Sequence, residues 1–158
     1  MKKTNKGFSM VELIIVIAIM AILAGALAPA LIKYINKSRI STDIQTANTI
    51  ATSIQTALAD EAGYDAANNA TGASVDDIFD KSGNDFEKAF TTACGGSSAP
   101  KTKASKCMKK TAMSTGNFVY DLDKETSEIT IYSTDGKHIL YPTASDCLTN
   151  DNASSCPG

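Results

Sequence analysis

Hydrophobic and polar positions along the chain fall into three regimes. From Leu13 to Ile32 no residue is charged or strongly polar, so a helix of this sequence is apolar on every side. As an α-helix these 20 residues span about 30 Å, the thickness of a bilayer's hydrocarbon core, and the segment can cross a membrane. Past Pro29 the pattern becomes amphipathic: Ile40, Ile44, Ala47, Ala51, Ile54 and Leu58 recur at alternating steps of four and three, which places them on one helical face. Asn48, Thr52, Ser53 and Gln55 lie largely off that face. No Pro or Gly occurs from Ala30 to Ala62, so the helix is expected to run from Phe8 to about Glu61, with Gly63 as its stop. Such a helix is about 80 Å long at about 1.5 Å per residue.

The third regime is mixed. Gly63 to Ala73 is rich in Ala, Asn, Gly and Thr and reads as a surface loop. Ser74 can cap a short helix through Phe79, and Asn84 another through about Thr92, with Phe79, Phe86 and Phe90 supplying apolar contacts. Asn117 to Leu122 and Glu128 to Thr134 alternate apolar and polar residues around a loop at Lys124 to Ser127, which predicts an antiparallel hairpin. Asp135-Gly136 is a turn signal before a third strand, Lys137 to Tyr141, which Pro142 ends. A three-stranded sheet with one apolar face is then available to cover the Ile40 to Leu58 stripe. The predicted fold class is α+β: a long N-terminal α-helix, its first half transmembrane and its second half amphipathic, packed on a small antiparallel β-sheet head.

Composition narrows the functions this frame can carry. Of 158 residues 43% are apolar, but they are concentrated near the start, which leaves a small core for the rest and disfavours a compact enzyme. The formal charge is -2, and without the three lysines before Gly7 the balance is 12 basic against 17 acidic residues, which leaves no basic footprint for nucleic acid. Lys101, Lys103, Lys106, Lys109 and Lys110 cluster in one stretch, but without interleaved aromatics they read as a solvated loop. The cysteines are Cys94, Cys107, Cys147 and Cys156, at local spacings of 13 and 9 that match no zinc pattern. Disulfides in an oxidising compartment are the better reading. Three connectivities are open, of which Cys94 with Cys107 and Cys147 with Cys156 demand the least of the fold.

Lys2, Lys3 and Lys6 precede the apolar run, so the positive-inside bias places the N-terminus in the cytoplasm and everything after Lys33 outside, in agreement with the cysteines. Three explanations compete for such a segment: a cleaved secretory signal, a permanent anchor, and a helix from which only the basic leader is removed. The core is longer than in a secretory signal, and the candidate site Ala26-Leu27-Ala28 is followed by Pro29. Glu12 stands one residue before the apolar run, where it either marks the membrane boundary, interacting favourably with the helix dipole, or becomes buried for a purpose.

Lys6-Gly7-Phe8-Ser9-Met10-Val11-Glu12-Leu13, followed by the apolar run, resembles the processing and assembly signature of type IV prepilins and pseudopilins, over about the first 35 residues. The resemblance implies cleavage between Gly7 and Phe8 by a prepilin peptidase, N-methylation of Phe8, and a Glu12 that becomes the fifth mature residue and pairs with the Phe8 amine of a neighbouring subunit. Ser9-Met10 departs mildly from the commoner Thr-Leu, while Pro29 falls where many members have a kinking proline. Gly25 and Pro29 are accordingly expected to kink or melt the helix between them. The stapled tail at Cys147 and Cys156 is similar to the C-terminal disulfide region of many pilins.

Catalytic signals are missing from the sequence: it has no Gly-rich phosphate loop, no GxSxG and no HExxH, and its single histidine, His138, reads as an ordinary strand residue. Some pseudopilins bind calcium, and Asp121, Asp123 and Asp135 are the acids to consider, but no EF-hand spacing appears, and no metal or cofactor is expected. Asn69-Ala70-Thr71 and Asn152-Ala153-Ser154 fit glycosylation sequons, a pattern common by chance. The expected organisation is a leader at 1–7, a hydrophobic transmembrane and assembly helix at 8–32, its amphipathic continuation at 33–62 and an α+β head at 63–158. The expected role is a non-enzymatic type IV pilus subunit whose partners are copies of itself, a prepilin peptidase, an assembly platform with its motor, and membrane lipid before assembly. The alternatives are a pseudopilin of a secretion or DNA-uptake apparatus and a monomeric membrane-anchored binding module.

Overall fold

The computed structural model describes residues 7–79, 83–95, 98–103, 105–106, 112–113 and 116–149. The chain divides into two compact units, Met1–Lys37 and Ser38–Gly158. The fold class is α+β: a long N-terminal helix, α1 (Met10–Ala59), and a small antiparallel sheet of four strands.

In the first unit, residues 7–9 are irregular and α1 begins at Met10. Gly25 and Pro29 lie within α1, which is not broken between them. Proline at position 29 removes a donor and directs its ring at the carbonyl four residues back. That carbonyl belongs to Gly25, whose missing side chain faces open space, so the backbone there is free to give.

In the second unit α1 buries Ile40, Ala47, Ile50, Ala51, Ile54 and Ala57 on one face, with Ile44 and Leu58 partly buried beside it. Six of these were legible as the apolar stripe; Ile50 and Ala57 widen it. The polar residues of the same stretch are accommodated by bonding backward: the hydroxyls of Thr42, Thr46, Thr49, Thr52 and Thr56 each donate to the carbonyl four residues earlier, at 2.8 to 3.2 Å. The helix ends at Ala59 because Asp60 adopts an extended backbone and caps a second helix, α2 (Glu61–Ala66), its carboxylate accepting the Gly63 N–H at 3.1 Å. Gly63 is therefore no stop. It is buried, and a Cβ there would lie 2.2 Å from the carbonyl oxygen of Ala57, so the turn between the helices needs glycine for close approach.

Strand β1 (Ala70–Ser74) occupies part of the stretch expected to be loop. Ala-Thr-Gly-Ala-Ser has little strand propensity, but it lies at a sheet edge against β4 (Val119–Asp123), with an irregular register between Ala70 and Ala73 and Gly72 at φ 65°. Ser74 then caps a 3-10 turn at Val75–Asp77, shorter than the helix expected to reach Phe79. Asn84 caps α3 (Asp85–Cys94) by accepting the Glu87 N–H at 2.8 Å, and Gly95 closes the helix in the left-handed conformation. A minor two-stranded pair, β2 (Ser105–Lys106) with β3 (Ala112–Met113), follows.

The predicted hairpin forms between β4 and β5 (Glu128–Tyr132), and β6 (Ile139–Tyr141) adds to β5, giving the order β1-β4-β5-β6. Tyr120, Leu122, Ile129, Ile131 and Leu140 are buried, alternating with exposed or half-buried neighbours along each strand. β6 starts later than expected because Asp135 holds the backbone N–H groups of Lys137 and His138 in the turn. A last short helix, α4 (Asp146–Thr149), buries Cys147 and Leu148. Phe79, Phe86, Phe90 and Phe118 complete one core with the α1 face and the sheet.

Candidate assembly segment

The sequence that precedes α1 is built to start a helix. Ser9, in the irregular stretch, donates its backbone N–H to the Glu12 Oε2 at 2.8 Å, while its carbonyl accepts the Leu13 N–H at 3.2 Å. A serine followed three residues later by a glutamate is a capping-box pattern. Glu12 therefore serves the first turn of its own helix, where a negative charge is also favoured by the helix dipole. The role of Ser9 went unread in the sequence, although Ser9-x-x-Glu12 is the signal that would have revealed it.

Gly7 and Phe8 are exposed, and the bond between them lies in the irregular stretch before α1. A Cβ at Gly7 would meet nothing within 4 Å, so intramolecular packing does not require the glycine. Phe8 is 88% exposed. The large apolar side chains from Met10 through Ile35 are likewise exposed, and the most apolar window of the helix has a mean hydropathy of 2.7 with 0% of it buried. By length and composition this stretch is able to cross a membrane, and it leaves an apolar surface of an extent that water disfavours.

The remaining sequence candidates are placed as follows. Cys94 is the last residue of α3, half-buried, with a thiol that burial pushes above its ordinary range against a hydrogen bond with Ser53. Cys147 is buried in α4. Cys107 and Cys156, the partners expected for these two, lie outside the described residues, as does the sequon at Asn152. Asn69 is exposed, its side-chain oxygen accepting the Lys124 N–H at 2.8 Å. Lys101 is engaged by Asp76 at 3.3 Å and by Asn117.

His138 is fully buried, and its Nδ1 pairs with the Asp135 Oδ2 at 2.5 Å. Ser133 donates its hydroxyl to the other Asp135 oxygen. Burial raises the Asp135 carboxyl, but donors from Ser133, Lys137 and His138 outweigh it and hold the group below the ordinary carboxylate range. Serine, aspartate and histidine meet here with the acid in the middle, so the imidazole has no hydroxyl to activate, and the trio fastens the β5–β6 turn. Asp121 accepts from the Gly72 N–H at 2.7 Å and the Tyr132 hydroxyl at 2.9 Å, and Asp123 accepts the Glu125 N–H at 2.9 Å. The calcium candidates are thus used in three separate hydrogen-bond sets, and among the described residues no three metal-ligating side chains come together.

In sequence, an exposed apolar stretch opened by a glutamate cap precedes the elements of the α+β head. Residues 2–28 match the family described as the prokaryotic N-terminal methylation motif. The chain is also 40% identical over 60 residues to the type IV major fimbrial protein FimA of Dichelobacter nodosus, in two sequences of that protein. Each match covers 38% of this chain and 38% of the relative, so the chain spans well under half of the relatives it matches. No solved structure matches.

Proposed function

We propose that this protein is a type IV pilin, a structural and non-enzymatic subunit that polymerises through its N-terminal helix into an extracellular filament. The observation that carries the reading is Glu12: an acid at the head of the exposed apolar run that opens α1, inside the segment that matches the methylation motif. In this reading the precursor sits in the cytoplasmic membrane with its N-terminus inside, a prepilin peptidase cuts after Gly7 and methylates Phe8, and an assembly platform with its motor extracts the helix into the fibre. Lipid covers the helix first, and copies of the same helix cover it later.

The cap uses one oxygen of Glu12, and a carboxylate retains further acceptor sites. Cleavage supplies the matching charge, a new amine on Phe8, at a depth where neither group is well hydrated. The partner of Glu12 is the Phe8 amine of a neighbouring subunit, and the pair sets axial register. Removing one member leaves an unpaired buried charge, a penalty of about 3 to 5 kcal/mol. Intact-mass and N-terminal analysis of sheared surface material tests the reading: it requires a methylated chain beginning at Phe8 in fibres. An uncleaved chain confined to membranes overturns it in favour of an anchor, and a cleaved chain found only in membranes points to a pseudopilin. A Glu12→Ala precursor is expected to be cleaved yet fail to assemble; normal fibres from it would refute the register role.

A further inference from the structure

Asp43 lies on the face of α1 that packs into the head and is 1% exposed. Its Oδ1 accepts the backbone N–H of Lys103 at 2.7 Å, while Oδ2 is buried with no hydrogen-bond partner. Ionised, such a carboxylate has lost its water and recovered one donor in exchange, an arrangement that costs free energy unless the charge is removed. Lys103 lies in a strap whose described residues are 98–103. Thr102 fixes the strap on its other side, its N–H donating to the Gly116 carbonyl at 2.9 Å and its hydroxyl bonded to that of Thr134 at 2.7 Å. Ser98 and Pro100 of the strap, with Cys94, form one wall of a cleft of about 290 Å³ whose other wall is Thr42, Thr46 and Thr49 of α1. The Asp43–Lys103 bond thus ties the strap to the helix beside this cleft.

We propose that Asp43 is a proton-operated latch on the 98–103 strap: neutral, it stays buried and holds the strap against α1; ionised, it favours a state in which the strap lifts, water reaches Oδ2 and the cleft widens. The proton is released to solvent on opening and taken back on closing, so no other reactant is needed. Burial raises the Asp43 carboxyl from 3.8 to about 6, against the lowering effects of the Lys103 N–H and the Lys103 charge. With the strap open and Asp43 hydrated, the ordinary value applies. Between the two values the closed state is protonated and the open state is not, so raising pH through this window favours opening. Among the described residues, the charged groups to consider near Asp43 are Lys103 on the strap, whose field reaches it, and the exposed Arg39 one turn earlier on α1. Beyond Thr134, the ionisable groups of the β5–β6 turn are Asp135, Lys137 and His138, of which Asp135 and His138 are tied to each other. The inference concerns the head alone and stands whether or not the chain polymerises.

Amide hydrogen exchange on the detergent-solubilised full-length chain tests it, followed at Lys103 and corrected for the intrinsic pH dependence of exchange. Protection of the Lys103 amide is expected to fall by about 30-fold as pH rises from about 4.5 to about 7.5, since about 1.5 units of the displacement lie within that range and each unit is worth tenfold. The amides of Ile129 and Ile131 should not follow. Asp43→Asn keeps an acceptor of the same size but cannot titrate, and its Lys103 profile should be flat. His138→Gln, which retains Asp43, should keep the step. A flat wild-type profile overturns the proposal even if a variant fails to fold; so does a step that survives Asp43→Asn, or one that disappears in His138→Gln.

Discussion

The head should depend heavily on Phe90. This residue is fully buried on α3, and its ring meets that of Phe79 edge to face, with centroids 6.1 Å apart and planes at 88°. Phe90→Ala removes a whole ring from a site where the α1 face, the sheet and α3 share one core, and such truncations cost about 3 to 5 kcal/mol. In a domain of this size about 1 kcal/mol moves Tm by about 4 °C, so the midpoint should drop by about 12 to 20 °C. The chain has no tryptophan, and the part of α1 in the first unit adds helix signal in the far-UV that the head does not control, so the assay is the near-UV circular dichroism of its tyrosines during heating of the solubilised protein. The ring pair itself can be isolated. Phe79→Leu and Phe90→Leu keep most of the volume, and their double variant should fall short of additivity by about 0.5 to 1.5 kcal/mol, the worth of an edge-to-face contact. A midpoint shift under about 4 °C for Phe90→Ala would mean that the site collapses without loss, and that α3 is not integral to the core.

Two further substitutions probe the connections around the core. Gly63→Ala places a methyl 2.2 Å from the Ala57 carbonyl oxygen, and forcing the α1–α2 turn apart should cost about 1 to 3 kcal/mol, read as a lower denaturation midpoint in urea with unchanged slope. Thr102→Val preserves shape but strips the Gly116 N–H, 3.1 Å away, and the Thr134 hydroxyl of a buried partner. The expected loss is about 1 to 3 kcal/mol, and Thr102→Ser should restore most of it in the same titration.

How much of this was legible in sequence depended on how much of each element's reason to form was local. The apolar run, the α1 stripe and the β4–β5 hairpin carry periodicities that neighbouring residues alone specify, and all three appear where expected. Asn84 and Ser74 are caps that announce themselves by residue type. β1 was not legible, because Ala70–Ser74 becomes a strand only by pairing with a β4 that lies 45 or more positions further along the chain. The break at Asp60 was missed for a related reason. An alanine-rich run with no Pro or Gly favours continuing the helix, and the turn is imposed by the contact between Gly63 and the Ala57 carbonyl, a tertiary fact. Of the candidate site, Gly7, Phe8 and Glu12 were identified by motif, while Ser9 was overlooked because the motif drew attention to the acid rather than to what the acid bonds. Asp43 escaped notice entirely: in sequence it is an acid on an otherwise apolar face, and only its burial beside Lys103 gives it meaning.

The first unit poses the inverse problem, since its residues are easily read but its packing needs partners. A helix exposed on all sides and made of Ile, Val, Leu and Ala gains nothing from choosing one neighbour over another while it lies in lipid, because acyl chains are as apolar as its own side chains. Were identical helices to replace lipid, as the proposed function has it, sliding one of them by a turn would exchange like for like and cost little. Register must then come from the few positions that differ from the rest, and from Phe8 to Ile32 the charged one is Glu12. Its bond to the Ser9 N–H matters in this respect. Under the proposed function the cap would keep the carboxylate satisfied while the helix waits in the membrane, and would fix the side chain toward the end where cleavage would create the new amine. The short capping box thus explains how a single glutamate can remain available for pairing in a segment whose other side chains specify nothing about position.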